Sequence, residues 1–97
     1  MIAIERHDSD TKAQYVARVD GVAEPAEMTL SKASDRLIIA DHTHVPDAMR
    51  GMGVGKALFD RLIADARDKG QRIIPLCPFV KAQAEKQRDA LADVIQW

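Results

Sequence analysis

The sequence holds a single cysteine, Cys77, in 97 residues. That excludes an intrachain disulfide and a zinc cluster built on thiolates. A reducing, cytoplasmic setting is the expectation. Neither sign of charge is in excess: 14 Lys and Arg face 15 Asp and Glu, a formal net charge of −1. A broad basic surface for nucleic acid gains no support, although a local phosphate pocket stays open. No apolar stretch approaches the roughly 18 residues of a membrane span. The opening MIAIERHDSD has no basic region followed by an apolar run, so no signal peptide is expected. Internal repeats and low-complexity segments are also missing. What remains is 46 % hydrophobic and 30 % charged, the profile of a soluble globular chain. At this length one domain over 1–97 is expected, with one core.

The first half reads as strands. Ile2 and Ile4 alternate with Ala3 and Glu5, and Ser9-Asp10 marks a turn. From Lys12 to Asp20, Tyr15, Ala17 and Val19 share one face, while Gln14, Arg18 and Asp20 share the other. Val16 interrupts that polar face and suggests that it is partly covered. Asp20-Gly21 is a turn signal. Ala26, Met28 and Leu30 then alternate with Glu27, Thr29 and Ser31. A short polar link, 32–35, leads to Leu37-Ile38-Ile39-Ala40, an unbroken apolar run that suggests a central strand buried on both faces. Short links between successive strands favour an antiparallel meander.

The period changes after Pro46. Leu58, Phe59, Leu62, Ile63 and Ala66 recur at three and four residues, which predicts a helix with one apolar stripe. Lys69-Gly70 ends it with a cation and a C′ glycine. Arg72 to Cys77 reads as a fifth strand with Ile73, Ile74 and Leu76 buried, and Pro75 marks an edge, a bulge or a splayed end. Residues 79–95 are helix-forming, with Val80, Ala84, Leu91 and Ile95 on one side; Arg88-Asp89 is a place where the helix could divide. The expected class is α+β: a mixed sheet in which an antiparallel meander is followed by one β-α-β unit.

Between the fourth strand and the helix lies Arg50-Gly51-Met52-Gly53-Val54-Gly55-Lys56. Alternating glycines let the backbone turn sharply and approach a ligand. The N–H groups of Gly53, Val54, Gly55 and Lys56 open a helix and form an anion site suited to phosphate, with Arg50 and Lys56 adding charge. The glycine spacing is not that of a P-loop, and the Lys-Ser/Thr pair is missing. A Rossmann glycine loop would follow the first strand, and here several strands precede it. Tight turning and close helix packing is the other reading of the same glycines.

His42-Thr43-His44-Val45-Pro46 followed by Arg50 to Leu58 resembles the acyl-CoA-binding signature of the GNAT (Gcn5-related N-acetyltransferase) superfamily. The run Ile73-Ile74-Pro75-Leu76-Cys77-Pro78-Phe79-Val80, across the intervening helix, resembles a minimal subgroup of about a hundred residues, the YjdJ-like N-acetyltransferase domain proteins. The resemblance implies a GNAT-like acyl-CoA N-acyltransferase fold over roughly 2–95 and acetyl-CoA or CoA as the bound cofactor. It places the pyrophosphate on Arg50, Gly51, Met52, Gly53, Val54, Gly55 and Lys56. His44, Val45 and the adjacent backbone would line the pantetheine arm and thioester, in an opening between splayed strands. The chain departs from the subgroup at His44, where an acidic residue is usual. Gln83, Gln87 and Arg88 stand where a Tyr and a His-Pro are common, which alters the C-terminal wall of the site.

Amine acetylation needs a polarised thioester, a base for the ammonium and an acid for the leaving thiolate. His44 is a candidate base, against the plainer reading of a hydrogen-bonded strand-end histidine. His42 shares its strand parity. Asp41 has the other parity, so no metal site is expected. Cys77 is a candidate catalytic thiol, shared with the subgroup, against the plainer reading of a small buried hydrophobe. Tyr15 reads as core rather than proton donor, and His7 as solvent-facing. Trp97 fits sheet packing or an oligomer contact. The leading expectation is an acetyl-CoA-dependent N-acetyltransferase acting on a small-molecule or protein amine. The alternatives are a CoA- or acetyl-CoA-binding protein with little or no transferase activity, and an interaction module that merely keeps the glycine turn. No nucleic-acid or membrane partner is expected, and a homodimer through an edge strand is open.

Overall fold

The computed structural model describes residues 1–97. Five strands form one sheet in sequence order: β1 (Ile2–Asp8), β2 (Lys12–Val19), β3 (Ala26–Lys32), β4 (Leu37–His44) and β5 (Arg72–Ile74). The first four are antiparallel neighbours, and β4 pairs with β5 in parallel. The crossover carries one 3-10 turn, Asp47–Met49, and helix α1 (Val54–Lys69); helix α2 (Pro78–Glu85) follows β5. This is the expected meander feeding a β-α-β unit. No helix is long and apolar enough to cross a membrane.

The period-2 residues named above form one apolar surface. Tyr15, Ala17, Ala26, Met28, Leu30, Ile38, Ala40 and Ile73 are buried against Leu58, Phe59, Leu62 and Ala66 of α1 and Val80 and Ala84 of α2. Helix α1 packs across β1, β2, β3 and β5, while α2 packs on β4. The other sheet face carries no helix. Consequently Leu37 and Ile39 are only half-buried, and the apolar run of β4 is covered fully on one side alone. Val16, which interrupts the polar alternation of β2, is buried on that second face.

Two boundaries differ from expectation, both for reasons of hydrogen bonding. β5 stops at Ile74 because Pro75 has no N–H to continue a ladder; Leu76, expected inside, is 66 % exposed. The C-terminal segment is helical only to Glu85. Beyond it the chain runs to the free edge of β5, where Ile73 N–H donates to Val94 O at 2.8 Å and Gln96 N–H donates to Ile73 O at 2.7 Å. Arg72 secures this return by donating to the carbonyls of Ala92, Asp93 and Ile95. Residues 86–94 form hydrogen-bonded turns and edge pairing takes 94–96, although Leu91 and Ile95 stay buried as their pattern implied.

A bulge in β4 changes one side-chain assignment. Leu30 pairs with Ala40 but Thr29 pairs with His42, which leaves Asp41 as an extra residue. Asp41 thereby joins the outward face, accepting a 2.6 Å hydrogen bond from Ser31 Oγ. The parity argument that separated it from His42 and His44 is overturned. Even so, no three His, Cys, Asp or Glu side chains gather into a set able to hold a metal ion.

Candidate acyl-CoA and acyl-transfer site

The site begins where β4 and β5 part. Their parallel pairing runs from Leu37 with Arg72 to Ile39 with Ile74. Pro75 then turns the chain away, and the next bond across is from Cys77 N–H to Ala40 O at 2.7 Å. From Asp41 to His44, β4 is paired through β3 alone. A proline just past the shorter strand thus opens the sheet beside a strand that continues.

The glycine loop follows β4 in the chain and leads into α1. Pro46 O accepts from Met49 N–H at 2.9 Å, Met49 O accepts from Met52 N–H at 3.2 Å, and the buried Met49 side chain anchors the turn. Gly51 (φ 77°) and Gly53 (φ 75°) take left-handed conformations that glycine adopts without strain, and a Cβ on either would meet open space. The first helical bond of α1 is Ala57 N–H to Gly53 O. Gly53, Val54, Gly55 and Lys56 therefore have no backbone acceptor, no side chain caps the helix, and no acidic residue occupies its first turn. Four N–H donors at the positive end of a 16-residue helix suit a phosphate group. Gly55 differs from the other two glycines: a Cβ there would lie 2.8 Å from Phe79 Cζ, so this position serves helix packing.

Arg50 and Lys56 stand beside these donors. Arg50 Nε pairs with Asp47 at 2.9 Å and Lys56 Nζ with Asp60 at 2.9 Å. All four side chains are more than half exposed, so each pair is weak and easily exchanged for a phosphate oxygen.

His44 ends β4 on the face turned away from the helices, opposite Glu27. Its Nε2 lies 2.9 Å from Glu24 Oε2, a residue of the β2–β3 loop. Both line a recess of about 500 Å³ with Gly21, Val45, Pro46 and Asp47. His42 is also exposed on this face. Cys77 lies elsewhere: it is 2 % exposed, and its thiol donates to Thr43 Oγ1 at 3.4 Å, on the core side of β4. Val45 and His44 thus share the recess at the β4 terminus, while the sheet separates His44 from Cys77. Glu24 and Thr43 carry no motif of their own. Only the β3–β4 register, with Glu27 opposite His44, brings the loop carboxylate to the imidazole.

Tyr15 is core by its ring, and its hydroxyl is spoken for. It donates to Asp65 Oδ2 at 2.6 Å and accepts from Arg6 Nη1 at 2.7 Å. Burial and the Asp65 carboxylate push the phenol well above its ordinary range. Burial alone would raise the Asp65 carboxyl, but hydrogen bonds from Tyr15, Arg61 and Arg6 outweigh it and hold the group below the usual range. This is a clamp between the sheet and α1 rather than part of the opening.

Comparison with known proteins bears on the fold and the family. Residues 14–94 match the family model described as GCN5-related N-acetyl-transferase. The solution structure of a GCN5-like candidate N-acetyltransferase from Staphylococcus aureus superimposes with a TM-score of 0.70 at 33 % identity, covering 95 % of this chain and 87 % of that one. No curated protein matches the sequence significantly. A family match from β2 to the C-terminal edge pairing, and a shared fold at that identity, show that the chain belongs to the GCN5-related N-acetyltransferase family.

Proposed function

We propose that the protein is an acetyl-CoA-dependent N-acetyltransferase acting on an amine, in the minimal YjdJ-like group of its family. The observation that carries this reading is the row of four unpartnered N–H groups at the start of α1. These residues fit the cofactor. Gly53, Val54, Gly55 and Lys56 would hold the pyrophosphate through their N–H groups, and the backbone turns freely at Gly51 and Gly53 to let it approach. Arg50 and Lys56 would add charge, and Met52, 47 % exposed between the glycines, would give an apolar contact. Val45 and the β4 backbone past Ala40 would line the pantetheine arm.

When bound, acetyl-CoA supplies a thioester carbonyl open to attack by an amine. The chain's own part is then to take a proton from the incoming ammonium, a role that the exposed imidazole of His44 suits. Cys77, buried on the core side of β4, lies across the sheet from His44. A second reading, CoA binding with little transfer, draws on the burial of Cys77, which leaves His44 alone as an accessible proton acceptor among the two candidates.

Calorimetric titration with CoA and with acetyl-CoA, on the wild type and on Gly53→Asp, tests the reading. The substitution sets a carboxylate among the N–H donors. Saturable wild-type binding, lost in a variant that stays folded, supports the site; no binding by the wild type overturns it. Acetyl transfer to amine probes by the wild type, set against His44→Ala and Cys77→Ala, then separates the two readings.

A further inference from the structure

We propose that Glu24 is the positioning residue for His44. The inference rests on His44 as the base of the proposed transfer, and adds what holds its ring in place. Glu24 Oε2 lies 2.9 Å from His44 Nε2 although the two residues are 20 apart in sequence. With a carboxylate as partner, Nε2 must carry the hydrogen and donate it, so Nδ1 keeps its lone pair. Nδ1 is then the atom that accepts the proton from the acceptor ammonium. The resulting imidazolium faces the Glu24 carboxylate, and the proton passes on to the departing thiolate or to solvent.

The loop is built to hold the carboxylate there. Val22 N–H donates to Val19 O at 3.1 Å, Gly21 turns with φ 83°, and the Val22 side chain packs against the core. Pro25 disfavours helical backbone at Glu24, where the chain bends before Ala26 enters β3. Around the imidazole, Glu27 is its register partner on β3 and Asp47 lines the same recess. Neither forms a hydrogen bond to it. Asp47 is occupied by Arg50 at 2.9 Å, and His7, with Glu5, is an edge-strand pair of its own.

Both side chains are at least half exposed, so the contact adds little to stability; orientation and turnover are the quantities to read. Side-chain three-bond couplings of His44 in isotope-labelled protein report its χ1 populations. The expected result is one dominant rotamer in the wild type and in Glu24→Gln, whose amide oxygen still accepts from Nε2, and averaging in Glu24→Ala. With acetyl-CoA and spermidine or poly-lysine as amine probes, kcat should fall about three- to tenfold in Glu24→Ala. That is less than the roughly hundredfold loss of the base itself in His44→Ala. Glu24→Gln should recover part of it, with CoA affinity unchanged in both Glu24 variants. A rotamer-averaged His44 in the wild type, couplings unmoved in Glu24→Ala, or an unmoved kcat would overturn the proposal. A wild type that binds CoA but acetylates neither probe counts against His44 as the base, while the couplings still decide whether Glu24 positions it.

Discussion

Gly55 and Phe79 are a matched pair: the phenyl ring of α2 occupies the space where a side chain at the second residue of α1 would stand. Gly55→Ala gains helix propensity of about 1 kcal/mol, yet its Cβ would lie 2.8 Å from Phe79 Cζ. The ring must move, and overpacking of this kind costs about 1–3 kcal/mol. A net loss of stability is expected in Gly55→Ala by thermal or denaturant unfolding. Adding Phe79→Leu should restore part of it. Additive effects in the double variant would show that the two residues do not meet.

Tyr15 and Asp65 make the corresponding link between the sheet and α1. Tyr15→Phe keeps the ring in the core but removes the 2.6 Å bond to Asp65 and the acceptor of Arg6. A loss of about 1–2 kcal/mol is expected, the range for a hydrogen bond with a charged partner. Asp65→Ala should cost more, because Tyr15, Arg6 and Arg61 all lose an acceptor. Neither change touches the glycine loop, so CoA affinity in the folded variants should stay within about twofold of the wild type. A large change in that affinity would connect the clamp to the opening.

The same clamp sets an acid limit. A hydrogen bond from Arg6, assisted by Lys32, brings Asp8 down from 3.8 to about 2, and Asp65 is also held below its ordinary value. Carboxyls depressed in the folded state contribute stability that is present above their unfolded values and lost as pH falls through the folded ones. Unfolding free energy should therefore decline from about pH 4 towards pH 2. The slope should be shallower in Asp8→Asn. Because Asp8 is partly exposed and solvent screens its pairs, the slope is the informative quantity rather than a fixed energy. Denaturant midpoints across this range, in both proteins, are the measurement.

Much of the architecture was legible in residue periodicity, since each element buries one face. Tyr15, Ala17, Met28 and Leu30 mark the inward face of the meander, and Leu58, Phe59 and Leu62 mark the stripe of α1. What was not legible depends on pairing between distant segments. The bulge at Asp41 reverses a parity argument because it exists only in the register of β3 against β4. The free edge of β5 draws 94–96 out of a helix-forming sequence. Glu24 meets His44 only because hairpin geometry returns its loop to the β4 terminus. The three glycines look equivalent in sequence. Two of them serve a left-handed turn, and the third makes room for a ring that lies 24 positions further on.

Lys56 offers the most direct probe of the anion site, because its ammonium is shared between two demands. It bonds Asp60 at 2.9 Å, one turn along α1, and it sits at the end of the row of free N–H groups. If a pyrophosphate binds there, Lys56 exchanges one exposed carboxylate for another anion at small cost. Lys56→Gln should weaken CoA binding about three- to tenfold, a difference of about 0.7–1.4 kcal/mol. Asp60→Asn, which frees the ammonium and removes a negative charge near the helix start, should strengthen it about twofold. Both effects should shrink as salt is raised and screens these exposed charges. Calorimetry at low and high ionic strength reads all four quantities. Equal affinity in Lys56→Gln and wild type at low salt would place the phosphates away from the start of α1, and with them the role assigned to Gly53 and Val54.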